Sequence, residues 1–205
     1  MLGNDGSGFT HYAAGRFPGR IGWLMGPKHW KEPRPWIPYA CDNDAFTLRE
    51  NWSEDAWIGM LDAARLCACK PRWVLVPDVV GDHIGTLERS EKYAPVARAY
   101  RWPLAFAVQD GMEPANVPSE AALVFVGGST AWRWRTLERW CAAFRRVHVG
   151  RVNAIERVWL CDDLGVESVD GTGWVRNPGR QDQLPALVEW LEGKRRPHQH
   201  EIVFG

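Results

Sequence analysis

Residues 104–128 read LAFAVQDGMEPANVPSEAALVFVGG. Leu104–Val108 and Leu123–Val126 are short, continuous apolar runs, each ending abruptly in polar or glycine residues. Such runs mark strands buried on both faces, as in a parallel sheet covered by helices. The link between them, Gln109–Ala122, is too short and proline-rich for a full helix. Working outward, further apolar runs at Ile37–Cys41, Trp73–Pro77, Val147–Val149 and Glu167–Val169 read as strands, with another at Ile21–Met25. Amphipathic segments near Ser53–Cys69, Thr86–Tyr100, Trp132–Phe144, Asn153–Leu164 and Leu184–Leu191 read as helices, the first opening with Ser53 as a cap.

Strand and helix therefore alternate, which predicts an α/β fold: a compact (β/α) TIM-like barrel of seven to eight strands, or failing that a doubly wound sheet. With 205 residues the chain has the size of one domain. Residues 1–36 form an N-terminal strand and Pro-rich loop region of that domain, residues 37–192 the catalytic barrel, and residues 193–205 a basic tail.

Lys plus Arg number 25 and Asp plus Glu 25, so there is no overall positive field of the kind that announces a nucleic-acid binder; any such contact rests on local patches. The first 20 residues lack the apolar run of a signal peptide, and no stretch approaches membrane-span length, which predicts a cytoplasmic protein with no membrane partner. The five cysteines, at 41, 67, 69, 141 and 161, fit reduced thiols. Cys67 and Cys69 lie two apart in an expected helix and point to opposite sides, and His198 and His200 read as part of a tail, so no metal site is assigned.

In both candidate folds the working residues sit beyond the C-terminal ends of the strands. Those ends carry Asp42-Asn43-Asp44-Ala45-Phe46, Pro77-Asp78, Gln109-Asp110-Gly111, Gly127-Gly128-Ser129, His148-Val149-Gly150-Arg151 and Asp170-Gly171-Thr172. A single Asp after a strand is most often a turn or cap residue. Several converging on one rim must relieve their repulsion by protonation or by binding a donor-rich ligand. His148, on an apolar strand, reads as a satisfied core histidine.

Taken in order, these segments resemble the tRNA-guanine transglycosylase superfamily, and most closely its compact DpdA-like branch, which puts 7-deazaguanines into DNA. The likeness spans residues 37–192. Cys41-Asp42-Asn43-Asp44-Ala45-Phe46 resembles the family's Asp-Ser-Gly-Gly-Phe, Val76-Pro77-Asp78 its strand ending in a base-reading Asp, and Ala107-Val108-Gln109-Asp110-Gly111 its Val-Gln-Gly-Gly. Val126-Gly127-Gly128 resembles its pocket-lining Gly-Gly, and Ser168-Val169-Asp170 the segment carrying its nucleophile.

The resemblance implies base exchange through a covalent glycosyl-aspartate. Asp170 is then the nucleophile and Asp42 the general acid/base, with Asp44 the alternative because Asn43-Asp44 stands where the family has Ser-Gly. Asp78, Gln109, Gly127, Gly128, Asp44 and Phe46 would bind the base, with Arg151, Arg176 and Arg180 on the nucleic acid. The partners would be DNA, presenting a flipped or single-stranded guanosine, and a free 7-deazaguanine, with a homodimer or partner subunit as a further option. No cofactor is implied, and the family's structural zinc site is missing, since no Cys follows Cys161. Arg133, Arg135 and Arg139 with Trp132 and Trp134 are secondary candidates for backbone contact, against a reading as surface packing. The rival functions are a nucleoside or nucleotide N-glycosidase of the same fold and a non-catalytic base- or nucleic-acid-binding subunit.

Overall fold

A computed structural model describes residues 2–3, 8–171, 173 and 183–194. Among these residues eight strands run β1 (Leu2–Gly3), β2 (Trp23–Met25), β3 (Tyr39–Cys41), β4 (Val74–Leu75), β5 (Leu104–Val108), β6 (Leu123–Val126), β7 (Val147–Val149) and β8 (Ser168–Val169). Each pairs in parallel with the next in sequence order. Among the described residues seven helices accompany them: α1 (Gly8–Arg16), α2 (Ala45–Leu48), α3 (Glu54–Leu66), α4 (His83–Arg98), α5 (Thr130–Ala143), α6 (Ile155–Asp163) and α7 (Leu184–Leu191). The expected strands β5, β6 and β7 and helix α7 fall where the sequence places them, and the link after β5 holds only a single 3-10 turn, Pro114–Asn116.

The region before residue 37 holds more structure than its composition suggested. β1 and α1 were not anticipated there, because α1 buries only the small residues Thr10, Ala13 and Ala14 and so leaves little apolar signal. β1 pairs with β2, and β2 with β3 along Trp23–Met25, so both strands before residue 37 join the sheet.

Alternation along each strand splits the core in two. Trp23, Met25, Tyr39, Cys41, Val74, Val76, Leu104, Phe106, Val108, Val124, Val126, Val147 and Val149 face the helices. Ala40, Trp73, Leu75, Ala105, Ala107 and Leu123, flanked by Leu24 and Phe125, fill the interior. β3 and β5 offer only alanine inside, and the space this leaves takes Trp73 and Phe125, the large-against-small filling of a barrel core. The sheet curls into a barrel: Trp73 before β4 meets His148 of β7 with ring centroids 5.0 Å apart. At the outer layer α1 and the residues after it meet the end of α7, with Arg16 bonded to Glu192 at 2.9 Å and Arg20 to the Leu191 carbonyl at 2.7 Å.

Three of the helices, α3, α4 and α5, start where side chains cap them. Ser53, Asp82 and Ser129 accept from the backbone amides of Ala56, Gly85 and Trp132, each worth about 1 kcal/mol. Those caps fix where the loops before α3, α4 and α5 stop.

Trp73 is fully buried among Phe125 and His148. Trp73→Ala is expected to cost about 3–5 kcal/mol of unfolding free energy in urea titration; a loss below about 1 kcal/mol would mean that the interior does not depend on it.

Candidate active site

The alternation that fills the barrel continues past the strand ends. Two residues beyond Leu24, Ala40, Ala107, Phe125, His148 and Ser168 on the same face stand Gly26, Asp42, Gln109, Gly127, Gly150 and Asp170. With Asp78 they surround a cavity of about 400 Å³, within the range of small-molecule sites. Leu24, Leu75 and Phe125 form its apolar floor, and Asn43, Asp44, Phe46, Gly128 and Arg151 are also on its walls. Every sequence-predicted site residue among the described residues is thus at one cavity. Arg176 and Arg180 lie outside the described residues.

Asp170 is held at both oxygens. Its Oδ1 accepts the Arg151 amide at 3.0 Å, and its Oδ2 lies 3.2 Å from His148 Nε2, within hydrogen-bond distance. Burial opposes its charge, but the hydrogen bond to and electrostatic effect of His148, with the Arg151 amide, outweigh it and hold the carboxyl below the ordinary Asp value. Gly150 keeps this corner open: a Cβ there would come within 3.0 Å of the Phe125 ring and 3.4 Å of Asp170 Oδ2.

Asp42 behaves oppositely. Burial, and then the Asp44, Asp170 and Asp78 carboxylates, push its pKa up to about 8. Its Oδ1 accepts the amides of Asn43 and Asp44 at 2.7 and 3.4 Å, and its Oδ2 has no partner among the described residues. At neutral pH the cavity therefore presents an ionised Asp170 and a protonated Asp42, the divergence that separates a nucleophile from a general acid.

Asp78, buried after β4, accepts Asn43 Nδ2 at 2.8 Å on one oxygen and Gln109 Nε2 at 2.7 Å on the other. Burial raises its pKa against those two bonds. Each oxygen keeps a lone pair for a ligand donor. Gln109 was expected to meet a ligand directly; its Oε1 instead takes the amides of Gly81 and Gly128, both at 3.1 Å, so the side chain braces three strand ends and keeps one amide hydrogen. The Gly128 amide, expected to serve a ligand, is consumed in that bond, and its carbonyl accepts Arg151 Nη2 at 2.5 Å. Gly128 sits at φ +65°, where a Cβ would meet Asp110 at 2.6 Å and Trp132 at 2.7 Å.

Arg151 does not extend outward as a phosphate arm. Its guanidinium lies 4.4 Å from the Phe46 ring centroid and makes one wall with it. Asp44 has left-handed backbone, φ 57°, and accepts the Lys28 amide at 2.9 Å across Gly26.

Three of the five candidates on the Arg/Trp-rich α5 are corrected, while Arg135 is exposed and Trp134 half-buried. Trp132 and Arg133 are buried, and Arg139 is ion-paired with Glu113, so these three do not offer a basic face to a polymer. Burial, and the neighbouring Arg151 charge, push Arg133 down to about 10.

Two contributors were missed by the sequence reading. Asn43 locks β3 to β4 by bonding Asp78, the Val76 carbonyl at 3.0 Å and the Ala45 amide at 2.7 Å; its own carbonyl accepts Trp52 Nε1 at 2.9 Å. Its sequence signal was the departure from the family's Ser. His148 is buried as a core histidine should be, yet it touches Asp170. Its signal was position, since it occupies an interior site beside the strand that carries Asp170.

No protein-family model matches the chain, and no curated protein matches it. Solved structures do. The tryptophan synthase α2β2 complex of the hyperthermophile Pyrococcus furiosus matches at a TM-score of 0.56 with 14% identity, over 94% of this chain and 95% of that one. A mutant tryptophan synthase alpha-subunit from the same organism matches at 0.57 with 15% identity, over 94% and 96%. A 3-hexulose-6-phosphate synthase matches at 0.54 with 12% identity, over 91% and 93%. These neighbours are TIM-barrel enzymes, and at such identities the likeness shows the shared single-domain barrel fold. Among the described residues no helix is long and apolar enough to cross a membrane.

The raised pKa of Asp42 has a testable sign. Below the unfolded value, near 3.9, the carboxyl is protonated in both states and adds no difference. Above it the unfolded chain releases a proton that the folded chain retains up to about pH 8, so wild-type stability falls across that window. Asp42→Asn, which removes this titration, is expected to raise the melting temperature at pH 8 by more than at pH 4; an equal change at both would contradict the assignment.

Proposed function

We propose that this chain is a pentosyltransferase that exchanges guanine in nucleic acid for a free 7-deazaguanine base through a covalent glycosyl-aspartate. The observation that carries the reading is the pair Asp170 and Asp42, opposite in ionisation at one cavity. An oxocarbenium-like transition state wants a carboxylate on the sugar and an acid on the leaving base, and this pair supplies both.

In the first displacement an Asp170 oxygen attacks the anomeric carbon as the bond to the base nitrogen breaks. The bonding electrons pass to that nitrogen, which takes the proton of Asp42. In the second, the incoming base gives its ring N–H proton to Asp42, its nitrogen attacks the same carbon, and Asp170 leaves as carboxylate. Configuration at the sugar is retained. Asp78 accepts the amino and ring N–H donors of guanine on the lone pairs that Asn43 and Gln109 leave open. A base without those donors strands a buried carboxylate, at a cost on the order of 1–3 kcal/mol or more. Phe46, backed by Arg151, gives the flat face of the base an aromatic wall.

A stacked duplex base does not reach such a cavity, so the polymer presents its guanosine flipped or single-stranded. The choice of DNA rests on the resemblance to the DpdA-like branch. A hydrolytic reading, in which water replaces the incoming base, is favoured by the equal counts of acidic and basic residues, 25 each.

Incubation with guanine-containing DNA, and separately with tRNA, plus 7-cyano-7-deazaguanine, followed by nucleoside mass spectrometry, separates these readings. A deazaguanosine in DNA is the expected product. Free guanine without incorporation would establish the hydrolase, and no product from either polymer would overturn the proposal. Asp170→Ala is expected to lower exchange at least about a thousandfold with an unchanged circular dichroism spectrum, and Asp42→Asn to lower it by about 10²- to 10⁴-fold. Exchange by Asp170→Ala at the wild-type rate would refute the nucleophile.

A further inference from the structure

We propose that His148 and Ser168 are positioning residues for Asp170, with the Ser168 hydroxyl fixing the His148 imidazole in the tautomer whose Nε2–H points at the Asp170 carboxylate. The inference deepens the reading of Asp170 as nucleophile and rests on it for its catalytic consequence, but its structural content stands without any substrate.

The arrangement follows from register. His148 and Ser168 are direct partners across β7 and β8, and Asp170 lies two residues beyond Ser168 on the same interior face. Ser168 Oγ is 2.8 Å from His148 Nδ1, and His148 Nε2 is 3.2 Å from Asp170 Oδ2. His148 is fully buried, and its ring is flanked by Phe125 at 4.7 Å and Trp73 at 5.0 Å between centroids. Those rings allow it little freedom to turn.

A buried imidazole favours the neutral form, which has one N–H and one lone pair. Burial lowers the His148 pKa, and the neighbouring Asp170 opposes that only in part. Two proton arrangements satisfy both contacts. In one, Ser168 donates to Nδ1 and Nε2–H donates to an ionised Asp170. In the other, Nδ1–H donates to Ser168 and a protonated Asp170 donates to Nε2.

The surroundings choose the first. Asp170 also accepts the Arg151 backbone amide on Oδ1, and the Arg133 guanidinium, from α5, favours its charge. Asp42, the acid whose own ionisation Asp170 opposes, holds its proton up to about pH 8 and so places no second charge against it at neutral pH. Glu167, just before β8, and Asp170 are the anions that act on the imidazole. An ionised Asp170 bonded to a neutral imidazole is the arrangement that leaves every polar atom of the three residues with a complementary partner.

The consequence for catalysis is a carboxylate kept charged and aimed among three other aspartates. It also gives Asp170 a fixed donor that remains when the carboxylate becomes an ester and returns to charge.

The test starts with the protein alone. ¹⁵N NMR of the wild-type His148 ring should show the Nε2–H tautomer, with no change of state from pH 5.5 to pH 8. An Nδ1–H tautomer, or an imidazolium in that range, would overturn the proposal, whether or not exchange activity is found. In the exchange assay, Ser168→Ala should move the acidic limb of the kcat/KM profile upward by about one pH unit, and Ser168→Thr, which keeps the hydroxyl, should restore it. An unmoved acidic limb in Ser168→Ala would equally overturn the proposal. Should wild type show no exchange at all, the transferase reading fails, and the ring spectrum still decides the positioning role.

Discussion

Carboxylates crowded at one cavity cannot all ionise, and the structure of this site follows from how that conflict is resolved. Asp42, Asp44, Asp78 and Asp170 share the cavity walls, and the fold gives each a different set of donors. Asp170 receives a ring N–H and a backbone amide, and ionises readily. Asp42 receives only backbone amides on one oxygen, lies within range of the other three, and retains its proton. Asp78 is enclosed by two side-chain amides, which hold it in place without removing its capacity to accept. One repulsion, divided unequally, yields one ionised, one protonated and one amide-bonded carboxylate.

The division depends on backbone position. Interior residues of a parallel barrel recur every second position, so whatever follows the last packed residue on that face must point at the mouth. Behind Asp170 the same face carries Ser168, and across from it His148; behind Asp42 it carries Ala40, which donates nothing. Two aspartates at equivalent heights on different strands therefore differ because of what lies one layer below. The side-chain braces are lateral: Gln109 ties the ends of β4, β5 and β6 together, and Asn43 ties β3 to β4. Their polar atoms are largely spent on the protein, so Gln109, read as a ligand contact from the chain alone, also braces the site.

Much of this was legible in the sequence. The apolar runs at Leu104–Val108, Leu123–Val126 and Val147–Val149 are long enough, and sharply enough ended, to fix both the strands and the rim residues that follow. The two-residue strands β4 and β8 were read too long, because buried residues such as Val76 continue the apolar pattern after the ladder pairing stops. Helix α1 escaped notice because its buried face is made of alanine and threonine. Arg133 and Trp132 were misplaced for a related reason: charge and aromatic content on a helix do not reveal which side faces the sheet, and here the guanidinium is buried. His148 was read correctly as buried, but pattern alone did not show that its interior position brought it within hydrogen-bond distance of Asp170.

The account stands on the opposite ionisation of Asp42 and Asp170, and ¹³C NMR titration of the aspartate carboxyls measures it directly, with Asp42→Asn and Asp170→Asn used to assign the two signals. One carboxyl should titrate near pH 8 and belong to Asp42, while that of Asp170 should remain ionised down to below the ordinary aspartate range. Two carboxyls that both titrate near 4, or a raised value that belongs to Asp170, would contradict it.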